Sequence, residues 1–545
     1  MKGLDYIVII IFSCAVIATG LSFSKQGKNM KSFFGAGGLV PWPMSGLSLF
    51  MGFFSAGTFV VWGSIAYSLG WTAVTIQWTM ALAGFWVGTF VAPRWRRTGV
   101  LTAAEYITKR FDVVTQKTYT YIFLFISLFT TGAFLYPVAK LLEVSSGLSL
   151  TACILLLGGL CVLYVAVGGL WAVISTDILQ FVILTAAVLI VIPLSFNKVD
   201  GVMNFLEKAP DTFFQWVNGE YTWLFIIAFG IYNAIFLGGN WAYVQRYTCV
   251  KSEQDARKVG WLFGGLYLIS PVLWMLPPMI YRVLNPAYTG IGTESEGAYL
   301  LMCKEALPSG MLGLMLAGML FATASAINSI LNISSGVFTN DIYKRLRPKS
   351  SNRTLMRIAR LSTIGFGLLA IVVALLITRM GGIVNVVISL AALTGVPIYL
   401  PIIWSLFSSR QTKTSLLCTT FISLAINAFF KFISPAVLNF LLNRTEEMVL
   451  GVGLPFVILS LFECWYLFRK SPKFVFEKQE RNLSEEEKKG SEESNRFSRN
   501  IIGISILLSG VLIIVLGIMA SFGQIIGITM GGILLITGAL IRYKK

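Results

Sequence analysis

The positive charge of this chain follows a strict alternation. About fifteen apolar stretches run along the sequence, and of its 43 Lys and Arg, 34 fall in every second gap between those stretches or at the C-terminal end. The other 9 fall in the alternate gaps, at the N-terminus or near one end of a stretch. A membrane-spanning helix needs about 20 mostly apolar residues, and loops kept in the cytoplasm are enriched in Lys and Arg. The parity holds over the whole length. Such a chain is expected to fold as an all-α polytopic membrane protein of about fifteen transmembrane helices, with an external N-terminus and a cytoplasmic C-terminus.

Composition narrows the function. The chain is 56% hydrophobic with a mean hydropathy of +0.76, well above the usual apolar share of a soluble domain. Its net charge of +18 sits in short gaps between lipid-length segments rather than on a soluble basic face, so the lipid bilayer and not nucleic acid is the expected partner. There is no His, which removes the commonest transition-metal ligand and the usual proton relay. The seven Cys are scattered without metal-ligand spacing, and no disulfide framework is expected.

No Gly-rich phosphate loop of the GxxxxGK[ST] type occurs, so an ATP-driven motor within the chain is not supported. The ionisable residues inside apolar stretches are Asp177, Lys140, Lys431 and Glu463, scattered over four helices. That is no catalytic constellation, so the expectation is a transporter rather than an enzyme. Residues 471–499 form a charged linker with too little apolar surface to fold alone. The pair of helices in 500–545 is read as an appendage outside any site.

Three polar features lie within the apolar helices, where polar groups are costly and tend to mark ion or solute paths. Ser325, Asn328, Ser329 and Asn332 fall at i, i+3, i+4 and i+7 on one helical stripe. That stripe suits either a hard monovalent cation or hydrogen-bonded helix packing. Asp177 follows the Gly168-Gly169 pair; it is either a first-turn acid stabilised by the helix dipole or a carboxylate able to reach a cation. The second and seventh spans, near 42–68 and 221–241, are both interrupted by Gly, Ser and Asn. Interrupted helices in corresponding positions of two inverted halves point to a transporter's central site.

The stretch Tyr164 to Gln180, YVAVGGLWAVISTDILQ, resembles the GGL-x-A-V-x-x-T-D-x-x-Q signature of the sodium/solute symporter family. LTAAEYITKRF, VQRYTCVKSEQDAR and SILNISSGVFTNDIYKR extend the resemblance, which runs from about residue 5 to 470. It implies a symporter domain over 1–470 with a LeuT-like 5+5 inverted-repeat core, its repeats near 42–196 and 221–407, an extra N-terminal helix and additional C-terminal helices. It also implies Na+ as the co-transported ion, a small-molecule solute, alternating access and a place in the plasma membrane.

By the same resemblance, the main sodium site matches the carbonyls of Met51, Phe54 and Ala322 and the hydroxyl of Ser325. The second hydroxyl position of that site is Ala326 here. A further sodium site matches Asp177, Ser325, Asn328 and Ser329. The solute-contacting positions match Gln77, Asn233, Phe236 and Tyr267, a set with amide and aromatic character but no charge. It favours a neutral, polyhydroxylated solute such as a sugar or sugar derivative. Lys140 either snorkels to the interface or attracts an anion. A proton-coupled or uncoupled carrier, and a transporter-like solute sensor, are the alternatives.

Overall fold

Residues 1–22, 40–100, 102–165, 170–286, 295–377, 383–469, 474 and 485–543 are described here in a computed structural model. Among them the secondary structure is helical, with two isolated β-bridges and no strand. In chain order come α1 (Gly3–Ser22), α2 (Trp42–Phe53), α3 (Thr58–Leu69), α4 (Thr72–Arg97), α5 (Ala103–Arg110), α6 (Val113–Ser146), α7 (Leu150–Val165) and α8 (Leu170–Lys198). They are followed by α9 (Trp223–Gly239), α10 (Trp241–Thr248), α11 (Glu253–Leu284), α12 (Ala298–Ala306), α13 (Met311–Leu346), α14 (Asn352–Ile377), α15 (Ile383–Leu390) and α16 (Val396–Phe407). The last are α17 (Lys413–Val437), α18 (Arg444–Phe468), α19 (Glu485–Met519) and α20 (Gln524–Tyr543).

Eleven of the described helices are long and apolar enough to cross a membrane, or up to 13 if each of two bent pairs is one span. Two shorter apolar segments, Gly3–Val16 and Leu150–Gly159, add to them. Large apolar side chains such as Leu82, Phe125, Leu361 and Leu461 stand on the outside of the bundle, where a bilayer is their natural solvent.

Several helices extend past their apolar stretch because polar caps lie beyond it. The Asp112 side chain accepts from Thr115 N and starts α6, while Gly147, at φ 76°, ends it. Asn443 and Glu446 form a reciprocal capping box at the start of α18. Elsewhere glycines let backbones touch. A Cβ on Gly260 of α11 would lie 2.4 Å from the Gly88 Cα of α4, the small-residue packing that helices in lipid favour.

Two expectations change. Asp177 lies seven residues beyond the start of α8 at Leu170, so it is not a first-turn residue; the Gly-Gly pair before it lies outside the described residues. The C-terminal helices, expected as an appendage outside any site, pack on the core. α19 begins at Glu485, within the stretch read as a linker, and packs with α20 against α8.

The first helix is locked to the core by one carboxylate. Asp5 is buried, and its Oδ1 accepts from Gly310 N at 2.6 Å and Gly313 N at 3.1 Å, capping α13. Removing a buried acceptor of this kind costs about 1–3 kcal/mol. Asp5→Ala is expected to lower the thermal unfolding midpoint of the detergent-purified protein, and Asp5→Asn, which keeps an oxygen, to lower it less. Equal loss in both variants would mean that the charge rather than the cap is what matters.

A second carboxylate holds α15. Glu296 is buried, and its Oε1 accepts from Ile383 N at 3.0 Å. Burial pushes its pKa up, against the opposing pull of that hydrogen bond and of nearby Lys140. A raised folded-state pKa means stability that is full below the ordinary carboxylate range and falls as pH rises through the raised value. Glu296→Gln is therefore expected to unfold at a higher temperature than wild type at neutral pH, the gap closing in acid. A gap that stays constant with pH would contradict this.

Candidate functional site

Two spans are broken, and their breaks meet. α2 and α3 are bent by 56°, and α9 and α10 by 58°. The first break falls at Phe54 to Gly57. Its free backbone donors are taken by side chains: Ala56 N donates to Thr323 Oγ1 of α13 at 2.7 Å, and Gly57 N to Ser55 Oγ at 3.2 Å. The second break falls at Asn240, whose Oδ1 accepts from Ala242 N at 3.0 Å and whose Nδ2 donates to the Tyr399 hydroxyl at 3.1 Å. The Phe53 ring stacks on Tyr243 at 4.2 Å, joining the two breaks.

Beside this junction lies a cavity of about 180 Å³. Gln77, Asn233, Phe236 and Tyr267 all line it, so the structure brings the four expected solute positions together. Asn233 Nδ2 donates to Thr79 Oγ1 at 2.8 Å. α15, the π-helical turn Ala391–Gly395 and α16 form the facing wall. A Cβ on Gly395 would lie 2.2 Å from the Tyr232 ring, so that turn admits only Gly where it presses on α9. The polar groups of the lining are hydroxyls and carboxamides, including Ser55, Thr58, Gln77, Thr130, Asn233 and Thr394; among the described residues no Asp, Glu, Lys or Arg takes part.

A separate polar cluster surrounds Asp177, and none of its members lines the cavity. Asp177 is fully buried; Ser48 Oγ of α2 donates to its Oδ2 at 2.5 Å. Arg246 of α10 donates from Nε to Ser48 Oγ at 3.0 Å and from Nη2 to Ser329 Oγ at 3.1 Å. Its Nη2 stands 4.0 Å from Asp177 Oδ2. Asp177 and Ser329, expected together, are thus joined by a guanidinium. Buried charges need such partners, and the same oxygens suit a hard cation.

Met51 and Phe54 lie in the last turn of α2 and at its end, where helical carbonyls lose their intrahelical partners. Ala322 is buried and adjacent to Thr323, which bonds the break. The side chains of Ser325 and Asn328 lie outside the described residues. Among the described residues there is no group of three His, Cys, Asp or Glu placed to hold a metal ion.

Sequence reasoning gave no site role to Ser48, Thr79, Arg246, Thr323 and Tyr399. Arg246 was hidden because a charge count treats it as one more loop cation; the half-helix beyond Asn240 buries it. Lys140 pairs with Glu143 at 2.8 Å and does not line the cavity.

Known proteins resemble this chain in sequence and in fold. The chain is 29% identical over 386 residues to the sodium/sialic acid symporter SiaT of Proteus mirabilis, covering 68% of this chain and 78% of that protein. It is 29% identical over 404 residues to sodium/glucose cotransporter 1 of Mus musculus, covering 66% of this chain and 60% of that one. Its fold matches the solved substrate-bound, outward-open state of a Na+-coupled sialic acid symporter with a TM-score of 0.70 at 24% identity, over 85% of this chain and 98% of the other. The model of the sodium:solute symporter family matches residues 33–422. That match takes in both broken helices and the cavity between them, and the chain belongs to the sodium:solute symporter family.

Proposed function

We propose that this chain is a multi-pass plasma-membrane symporter that couples Na+ entry to uptake of a small, neutral, polar organic solute, a sugar or sugar derivative. The observation that carries the solute class is the cavity lining: amides, hydroxyls and aromatic rings, with no acidic or basic side chain among the described residues. A carboxylate entering it would lose its hydration without gaining a cationic partner. Hydroxyls would find donors and acceptors in Gln77 and Asn233, and the C–H faces of a sugar would lie on Phe53, Phe236 and Trp62. Relatives of both kinds exist, a sialic acid symporter and a glucose cotransporter; the lining favours the neutral kind.

The architecture proposed has fifteen spans, an external N-terminus and a cytoplasmic C-terminus. Two inverted five-helix repeats occupy about 42–196 and 221–407 within a symporter domain of 1–470. Similar bends in two spans five apart support this reading. Na+ is proposed to bind carbonyls of Met51, Phe54 and Ala322 with Ser325, and a second ion to bind Asp177 with Ser325, Asn328 and Ser329. In the second site Arg246 holds the same oxygens, so ion and guanidinium compete for Asp177. Bound Na+ would favour the state with higher solute affinity, and by linkage the solute would raise Na+ affinity equally.

For the solute, the test is thermal-shift screening in saturating Na+ followed by uptake into proteoliposomes. Neutral sugars are expected to raise the unfolding temperature and sialic acid to leave it unchanged. Asn233→Ala is expected to raise KM about tenfold, the loss of one or two hydrogen bonds, with the fold intact. Sialic acid acting as the preferred substrate would overturn the neutral reading. Uptake without Na+ would favour an uncoupled or proton-coupled carrier, and binding without uptake a sensor.

For the ion, the measurement is the unfolding temperature against NaCl, with choline chloride at matched ionic strength. A saturable, Na+-only rise is expected by mass action on the folded state. Asp177→Ala is expected to shrink that rise. Arg246→Ala is expected to start lower, with Asp177 deprived of its guanidinium partner, and to gain more from Na+ than wild type does. An Asp177→Ala response equal to wild type would remove Asp177 from the ion sites.

A further inference from the structure

The C-terminal hairpin lies beyond the family match, which ends at residue 422, yet it forms one wall of a cleft in the core. The cleft, about 850 Å³, opens between α19, the start of α2 and the first turns of α8. Its apolar wall includes Met44, Leu47, Ile178 and Ile502. From Ile502 toward its N-terminus, α19 lines the cleft with Arg499 and Arg496 and then Glu493 and Glu492. Glu492, Arg496 and Arg499 fall at i, i+4 and i+7 and share one helical face.

The rotation of α19 is fixed. Ser498, next to Arg499 on an adjacent face, is fully buried and bonds the buried Ser175 hydroxyl of α8 at 2.6 Å. That bond turns the Arg–Glu stripe toward the cleft. It also falls where α19 changes from a charged segment to a membrane-spanning one, Asn495–Met519.

The order of chemistry along α19 is therefore apolar wall, then two guanidinium groups, then two carboxylates. At a rise of about 1.5 Å per residue, the carboxylates lie about 5–10 Å farther from the apolar segment than the guanidiniums. A phospholipid with a primary amine presents the matching order: acyl chain, phosphate, ammonium. We propose that this cleft is a binding site for an aminophospholipid, its phosphate on Arg496 and Arg499 and its ammonium on Glu492 and Glu493.

Guanidinium groups suit phosphate because they donate paired, charge-assisted hydrogen bonds. Glu492, Glu493 and Arg496 are exposed, and any Arg–Glu pairing on an exposed helix face is weak enough for such a ligand to exchange. A purely anionic headgroup would meet repulsion from the two carboxylates. A choline headgroup keeps the charge but has no N–H to donate to them. The site thus selects on both ends of the headgroup.

The test uses the full-length detergent-purified protein, with lipid retention read by native mass spectrometry and stability by thermal unfolding. Phosphatidylethanolamine, phosphatidylcholine and phosphatidylglycerol of identical acyl chains are added in turn. Phosphatidylethanolamine is expected to be retained best and to give the largest rise in unfolding temperature. The double variant Arg496→Gln/Arg499→Gln is expected to weaken retention of all three lipids about tenfold or more, as for loss of charged hydrogen bonds. Glu492→Gln/Glu493→Gln is expected to remove the preference for phosphatidylethanolamine and to improve retention of phosphatidylglycerol. Glu492, Glu493 and Arg496 are exposed and Arg499 half-buried, so both variants are expected to fold, checked by an unchanged unfolding temperature without lipid. Equal retention of the three lipids by wild type, a wild-type preference for phosphatidylglycerol, or indifference to both double variants would overturn the proposal.

Discussion

An interrupted helix within a bilayer leaves backbone donors and acceptors with no water to take them. Everything at the centre of this protein answers that constraint. Thr323 and Ser55 take N–H groups at the first break, and Asn240 caps its own half-helix at the second. Of the carbonyls that end α2, Phe53 O accepts from Thr58 Oγ1 of α3 at 3.3 Å. The two breaks meet through stacked aromatic rings, so one space serves both, and the cavity forms there. A continuous helix at either position would satisfy itself and leave nothing for an ion or a solute.

The charged and uncharged parts of the interior are kept apart. The cavity wall carries amides, hydroxyls and rings, while Asp177 and Arg246 sit in a cluster of their own with Ser48 and Ser329. Burying two opposite charges in apolar surroundings is costly unless each has partners, and here each has several. The cluster ties α2, α8, α10 and α13 together. A change in the occupancy of Asp177 would therefore be felt by both broken spans at once, which is the physical requirement for the coupling proposed here.

The peripheral helices are fastened by single polar bonds rather than by broad apolar contact alone. Asp5 caps α13 from α1, Glu296 holds the start of α15, and Ser498 meets Ser175 at the start of α8. In lipid, apolar surface gives little net preference for one neighbour over another, so packing and directional bonds carry specificity. The close glycine contacts within the C-terminal hairpin, such as Gly517 against Gly527, follow the same logic.

The sequence alone determined that this chain is a multi-span helical membrane protein with interrupted helices of the symporter kind. Hydropathy, charge alternation and Gly/Ser interruptions are local signals, and the bilayer reads them segment by segment. The resemblance to the family also marked Gln77, Asn233, Phe236 and Tyr267, which one cavity gathers. Tertiary structure alone decided that Arg246 is a buried partner of Asp177 rather than a loop cation, that Thr323 completes the first break, and that the C-terminal helices reach α8. These depend on which faces of distant helices meet. A linear pattern of hydropathy and charge fixes the length and polarity of each helix, but not its rotation against its neighbours.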